Sequence, residues 1–145
     1  MRKLIILTLA ISGFYGFNAF ARDDAHHLSI NDAMASSDFK EKLPGDVTFY
    51  FSDQAYAVPT KTMGEFITNK KTNAFGKSDT EACEWVFLSA MIALRDRALA
   101  EGGNAVVDIV SFYKRNEYAS ATEYECHAGA VMAGVALKGR VVTLP

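Results

Sequence analysis

The chain has 145 residues, of which 50% are hydrophobic, and a formal net charge of −2 at pH 7. This length suits one domain with a sizeable core. The basic residues do not gather in one stretch, which argues against a nucleic-acid partner, and no motif indicates a cofactor.

Residues 1–21 have the pattern of a secretory signal peptide. Two basic residues follow Met1, an apolar run extends from Leu4 to about Phe17, and Ala19-Phe20-Ala21 is the small-x-small sequence that a signal peptidase cleaves. The run is shorter than the roughly 20 residues of a spanning helix. We therefore expect a cut after Ala21, a periplasmic or secreted protein, and no membrane span.

Residues 22–46 are predicted to be a polar N-terminal segment, followed by a single α+β domain at 47–145. Arg22–His27 is charged and short of apolar residues, so we expect a mobile end. Ser29 followed by Asp32 could cap a short helix.

The next elements are two strands and a helix. Val47–Phe51 is rich in β-branched and aromatic residues, Thr62–Thr68 alternates, and residues 69–77 read as a polar connection. Ser78 and Glu81 form a capping box. The helix should run from Asp79 to about Glu101, where two glycines end it.

This helix carries two apolar stripes. The first, taken to face the sheet, consists of Cys83, Phe87, Ala90, Met91, Leu94 and Ala98. The second consists of Trp85, Leu88, Ile92 and Leu99. A surface helix normally has one stripe, so the second predicts another layer. That layer is either the N-terminal segment of the same chain or another subunit of a homo-oligomer.

Strands are predicted again after the helix. Residues 105–113 give the strongest strand signal, residues 114–121 a hairpin loop, and residues 122–127 a return strand. Residues 128–137 could be strand or short helix, with strand favoured, and residues 139–144 have strand character. The order β-β-α-β-β predicts an α+β fold, with an antiparallel sheet of four to five strands and one main helix on one face.

Cys83 and Cys126 are the only cysteines, 43 residues apart. In an exported protein this pair predicts a disulfide, with two free thiols as the alternative. A loop of that size would stabilise the fold by roughly 4 kcal/mol. Alternation in the return strand places Cys126 on the helix side and His127 on the other side.

Three segments, Thr68–Phe75, Gly103–Val110 and Tyr124–Gly129, resemble a family of small exported bacterial proteins that carries the label "excinuclease ATPase subunit". The helix followed by Asn-Ala-Val-Val also resembles the YbjQ and RcsF-like group of small α+β domains. The resemblance implies a non-enzymatic domain, in some members oligomeric or part of envelope signalling.

The ATPase label does not fit the residues. A phosphate-binding P-loop has the form G-x-x-x-x-G-K-[ST]. Gly76-Lys77-Ser78 supplies its end, but Lys71 stands where the first glycine is required. ATPase or excinuclease activity is therefore not supported, and no other catalytic motif indicates an enzyme.

Two groups of residues are candidate sites. His26, His27 and His127 are candidate metal ligands, and His127 could act with Glu123 or Glu125 in metal binding or hydrolysis. A second set of candidate residues lies just before the helix. The N-terminus of a helix favours anions. That candidate anion-binding or ligand-binding set consists of Lys70, Lys71, Lys77 and Ser78.

The sequence as a whole predicts an exported, non-enzymatic binding or interaction module, stabilised by one disulfide, whose partner is an envelope protein or a small ligand. The alternatives are a metal-binding or small hydrolytic protein that uses His127, and a structural oligomer assembled through the second stripe of the helix. Solvated polar surfaces are the alternative for the histidines and lysines, and they are the favoured one.

Overall fold

A six-stranded sheet with one long helix on one face makes up the described part of the chain, residues 21–145 of a computed structural model. The elements, in chain order, are β1 (Asp24–Ser29), α1 (Ile30–Ala35), α2 (Ser37–Lys42), β2 (Thr48–Phe51), β3 (Lys61–Asn73), α3 (Asp79–Ala100), β4 (Ala105–Ser111), a 3₁₀ turn (Tyr113–Arg115), β5 (Glu123–Ala128) and β6 (Met132–Thr143). The predicted signal peptide lies outside the described residues except for Ala21. In residues 21–145, no helix has the length and apolar character needed to cross a membrane.

Strand β6 is the centre of the sheet. Along one edge it pairs with β3, from Met132 opposite Asn73 to Thr143 opposite Lys61. Its other edge pairs with β5 near the start of β6 and with β4 near its end. Strand β1 lies beyond β5, and β2 lies beyond β4. Because two strands share one edge of β6, the sheet divides and curls.

The α+β class and the single main helix are confirmed, but the predicted sheet was too small and too regular. It has six strands rather than four to five, and β2 runs parallel to β4 rather than antiparallel. Residues 69–73 continue β3 instead of starting a loop, because each of them pairs with β6. Polar side chains suit this position because it is an exposed sheet edge.

The alternative between strand and helix at residues 128–137 is resolved as strand. Ala128 ends β5, a turn follows, and β6 then continues without a break through Gly139. A side chain at Gly139 would not fit, because its Cβ would lie 2.7 Å from Val106 Cγ1. Glycine therefore lets the two strands approach closely rather than interrupting β6.

The beginning of the N-terminal segment belongs to the sheet. The stretch expected to be mobile forms β1, which pairs antiparallel with β5 from Asp24 opposite Ala128 to Ser29 opposite Glu123. Ser29 then caps α1 as predicted, because its Oγ accepts a hydrogen bond from the Asp32 N–H at 3.1 Å.

Helix α3 has the predicted ends. Ser78 Oγ accepts a hydrogen bond from the Glu81 N–H at 3.1 Å, and Gly102 ends the helix with φ of +80°. Every residue of its first stripe is buried. On the second stripe Leu88 is buried, whereas Trp85 and Leu99 remain 41% and 43% exposed. Helices α1 and α2 contact α3, so the N-terminal segment supplies part of the second layer.

Candidate functional site

A disulfide joins Cys83 of α3 to Cys126 of β5, as predicted. Their Cα atoms are 5.8 Å apart, and both residues are fully buried. Tyr124, on the same face of β5, stacks on Phe87 with 3.9 Å between ring centroids, and burial raises the pKa of its hydroxyl. The disulfide and the stacked pair fix β5 against α3, so the side chains on the opposite face of β5 are also fixed in place.

Strand register divides the three histidines between the two faces of the sheet. We call the side that packs on α3 the inner face and the other side the outer face. His26 lies opposite Cys126 and therefore points to the inner face. His27 lies opposite Glu125, so it shares the outer face with Glu125 and His127.

Four side chains form a continuous row on the outer face, which we call the imidazole–carboxylate row. His27 Nε2 lies 3.2 Å from Glu125 Oε2, and His127 Nε2 lies 2.9 Å from Glu125 Oε1. His127 Nδ1 lies 3.2 Å from Asp23 Oδ1. Both ring nitrogens of His127 thus face carboxylates, and Glu125 lies between the two imidazoles.

Two tyrosines cover the imidazoles of the row. Tyr113 stacks on His127 with 3.6 Å between ring centroids, and Tyr118 stacks on His27 at 4.1 Å. The Tyr118 hydroxyl donates to Glu123 at 3.0 Å, which raises the pKa of that hydroxyl. Glu123 is therefore engaged by Tyr118 rather than by His127. The stacking holds both imidazole rings in fixed planes.

A cleft of about 380 Å³ opens beside His127. Its walls include Asp23, Lys71, Tyr113, His127, Met132 and Gly134. This volume lies within the range of small-ligand sites. Half of the Met132 side chain is exposed next to the titratable groups, so the cleft presents an apolar wall beside one end of the row.

The inner face carries a different cluster, formed by Asp24, His26 and Asp79. Their ligand atoms lie within 4.8 Å of one another. Arg22 Nη1, however, lies 2.7 Å from a carboxylate oxygen of Asp24 and 2.7 Å from one of Asp79. Its guanidinium lowers the pKa of Asp79 to about 2. A protein cation thus already neutralises this cluster, and a metal ion would have to displace it.

The imidazole–carboxylate row offers a second ligand set. Lys114 Nζ lies 3.4 Å from Asp23 Oδ2 at one end of the row, but among the described residues no lysine or arginine pairs with Glu125. His27 Nε2, the Glu125 carboxylate and His127 Nε2 are two nitrogen ligands and one oxygen ligand, a combination that binds zinc in proteins. Asp23 at His127 Nδ1 has the position of the carboxylate that orients a metal-bound histidine. The two imidazoles lie on different oxygens of Glu125, and the three ligand atoms do not converge within 4.8 Å as those of the inner-face cluster do. Coordination would therefore replace both hydrogen bonds to Glu125 and draw the imidazoles together.

The residues predicted as one anion site do not converge. Lys70 lies on the inner face beside α3, whereas Lys71 lines the cleft on the outer face. Lys77 Nζ donates to the Asn73 carbonyl at 3.2 Å. The Ser78 hydroxyl caps α3, and that helix begins with the acidic residue Asp79. The four residues therefore lie in separate surroundings.

Sequence reasoning paired His127 with Glu123 or Glu125 and named His27 as a candidate ligand, but it did not predict the strand pairing that places His27 beside Glu125. The first strand, Asp24–Ser29, has two histidines and no β-branched residue, so its sequence lacks a strand signal. Tyr113 and Tyr118 lie at the ends of a connection whose path depends on tertiary contacts. Alternation in β5, which correctly put Glu125 and His127 on one face, was the only local signal for the row.

The fold and the site together define a small α+β domain with a disulfide between sheet and helix and an imidazole–carboxylate row on the free face of the sheet. Comparisons of the chain with protein-family models, with curated proteins and with solved structures gave no match. The function is therefore argued from the site itself.

Proposed function

We propose that this protein is an exported, non-enzymatic binding module and that its ligand is a divalent metal ion of the zinc or copper type, held by His27, Glu125 and His127. The observation that carries the proposal is the position of Glu125, within 3.2 Å of an imidazole nitrogen on either side. Imidazole and carboxylate ligands suit these ions.

The strand framework supports this assignment. Glu125 and His127 are two residues apart on β5, and His27 is the cross-strand neighbour of Glu125 on β1. All three side chains therefore leave the same face of two paired strands. Sites built on regular elements are more precise than sites on loops, and the disulfide at Cys126 holds the middle of β5.

Export is supported by two features of different kinds. The first is the signal-peptide pattern of residues 1–21. The second is the disulfide between Cys83 and Cys126, since disulfides persist mainly in oxidising compartments. The resemblance to small exported bacterial proteins agrees with both, and the resemblance to the YbjQ and RcsF-like group implies a non-enzymatic role.

Calorimetric titration with zinc chloride, and separately with copper sulfate, tests the metal assignment. We expect one ion per chain in the wild type and loss of that binding in His127→Ala and in His27→Ala. His26→Ala is the matched control, because His26 lies one residue away on the inner face, and it should bind as the wild type does. Asp23→Asn should weaken binding about tenfold to a hundredfold.

Two results would contradict the metal assignment. One is the absence of stoichiometric binding by the wild type. The other is a site that survives His127→Ala but is lost in His26→Ala, which would place the ion at the inner-face cluster with Asp79. The general proposal of an exported binding module would then rest on the cleft beside His127 alone.

A second candidate function is hydrolysis by His127 with Glu125, favoured by their 2.9 Å contact at the edge of the cleft. A zinc site with an open position activates water, so the same residues would serve. The zinc-loaded wild type would then hydrolyse p-nitrophenyl acetate faster than the same protein does after its metal is removed with a chelator. Equal rates would remove this candidate without affecting metal binding.

The third candidate is a structural oligomer that uses the second stripe of α3. The exposed parts of Trp85 and Leu99 favour it. Analytical ultracentrifugation of the wild type and of Trp85→Ser provides the test. A concentration-dependent dimer that the substitution abolishes would support the oligomer, and a monomer at all concentrations would exclude it.

A further inference from the structure

The outer edge of β3 pairs with no other strand in the described part of the chain. Strand β3 spans Lys61–Asn73, and β6 occupies its other edge along almost its whole length. An edge strand presents alternating unpaired N–H and C=O groups that can accept an additional strand. At 13 residues, this edge is long enough to pair with an extended peptide.

A shallow groove of about 290 Å³ runs between this edge and α3. From β3 its lining includes Phe66, Thr68 and Lys70, and from α3 it includes Ala93 and Arg97. The Arg97 guanidinium lies 4.0 Å from the centroid of the Phe66 ring and covers one end of the groove. Ala93 is small, which leaves room for a side chain from an added strand to lie against the helix.

The floor of the groove contains an unsatisfied polar group. Thr68 is 7% exposed, and its Oγ1 has no hydrogen-bond partner among the described residues. Burying a hydroxyl without a partner has a free-energy cost, so native proteins rarely do so unless the group has a further role. That oxygen is itself closed to solvent, so the groove has to open locally before a peptide group can bond to it.

The charges at the groove indicate which peptide it accepts. Lys70 takes part in no ion pair within residues 21–145. Arg97 is a second cation at the groove, and its Nη2 forms an ion pair with Glu101 Oε1 at 3.0 Å. We propose that the groove between β3 and α3 binds an extended acidic segment of a partner protein, which pairs with β3 as a seventh strand. This binding site is separate from the imidazole–carboxylate row and goes beyond the proposed metal function.

The probe for this proposal is a synthetic acidic peptide, acetyl-EVTVEV-amide, added to the full chain and followed by NMR of backbone amides. We expect shifts and slowed hydrogen exchange at β3 amides and not at β1, the edge strand on the other side of the sheet. The basic peptide acetyl-KVTVKV-amide and the proline peptide acetyl-EVPVEV-amide should bind much more weakly, since the first reverses the charge and the second lacks an N–H.

Charge reversal on the protein provides the matched pair of variants. Lys70→Glu should weaken the acidic peptide about fivefold, the scale of one exposed ion pair. Lys77→Glu makes the same change of charge in the loop before α3, outside the groove, and should have little effect. Both residues are exposed, so neither change should disturb folding.

Three outcomes would overturn the proposal. The first is amide shifts that fall outside β3 and α3, and the second is equal binding of the acidic and basic peptides. The third is protection of the β3 edge without peptide, together with a dimer in sedimentation. That result would show that a second copy of the chain occupies the edge.

Discussion

The imidazole of His127 lies flat against the ring of Tyr113, with 3.6 Å between their centroids and 10° between their planes. Glu125 and Asp23 face the two ring nitrogens of the same imidazole. Stacking fixes the plane of the ring, and the carboxylates fix its rotation within that plane. The His127 ring is therefore already ordered, which lowers the entropic cost of binding, and its Nε2 has to leave Glu125 to coordinate a metal ion.

Removing the stacked ring should loosen His127. Tyr113→Leu is expected to weaken zinc binding about twofold to tenfold, because an aromatic pair contributes about 0.5–1.5 kcal/mol. Titration calorimetry measures the change. Tyr50→Leu is the control, since Tyr50 packs at a tilt against Tyr56, with 5.6 Å between ring centroids, away from the row. If both variants bind zinc equally well, the stacking does not hold the site in place.

The turn after β5 begins at Gly129, a position where no side chain fits. A Cβ at Gly129 would lie 2.5 Å from the Arg22 carbonyl oxygen, so Gly129→Ala should push the start of β1 away and misplace Asp23. We expect a loss of about 1–3 kcal/mol in the free energy of unfolding, together with weaker zinc binding. Gly45→Ala, where a Cβ meets nothing within 4 Å, is the control for urea denaturation and should be nearly neutral. Equal stability of the two variants would contradict this account.

The disulfide should dominate the response to reduction. Replacing Cys83 and Cys126 with alanine is expected to lower the free energy of unfolding by up to roughly 4 kcal/mol, because the unfolded chain regains the freedom of a 43-residue loop. Urea unfolding of the variant, and of the wild type with and without dithiothreitol, measures this loss. The reductant should leave the variant unchanged. Two free thiols in the mass spectrum of the exported protein would refute the pairing.

The ion pair between Arg22 and Asp79 should make stability fall in acid. Arg22 holds the pKa of Asp79 at about 2, against 3.8 for the unperturbed group. Between these values the unfolded chain binds more protons than the folded chain, so stability present above about pH 4 decreases as the pH falls toward 2. The stability of Asp79→Asn should therefore fall less between pH 4 and pH 2 than that of the wild type. Asp96→Asn, which changes an exposed carboxylate, should lose as much stability as the wild type. Denaturation series between pH 5 and pH 2 compare the three proteins.

Several features could be predicted from the sequence because short-range rules produce them. Ser78, Glu81 and the glycines after residue 101 define α3, since caps act within one turn of a helix. Alternation placed Cys126 and His127 on opposite faces because side chains in a strand have a period of two. With α3 and β5 each oriented in this way, Cys83 and Cys126 face each other, and they are the only two cysteines in the sequence.

Only the tertiary structure decided where the first described strand and the outer edge of the sheet at β3 lie. β1 exists because β5 offers it a hydrogen-bonding edge, and β3 reaches Asn73 because β6 pairs with it that far. Pairing of this kind joins residues 59 to 104 positions apart, and no local pattern encodes it. The sequence alone therefore determined the helix, the cysteine pair and the facing of His127, whereas the partners of His127 depend on long-range strand register.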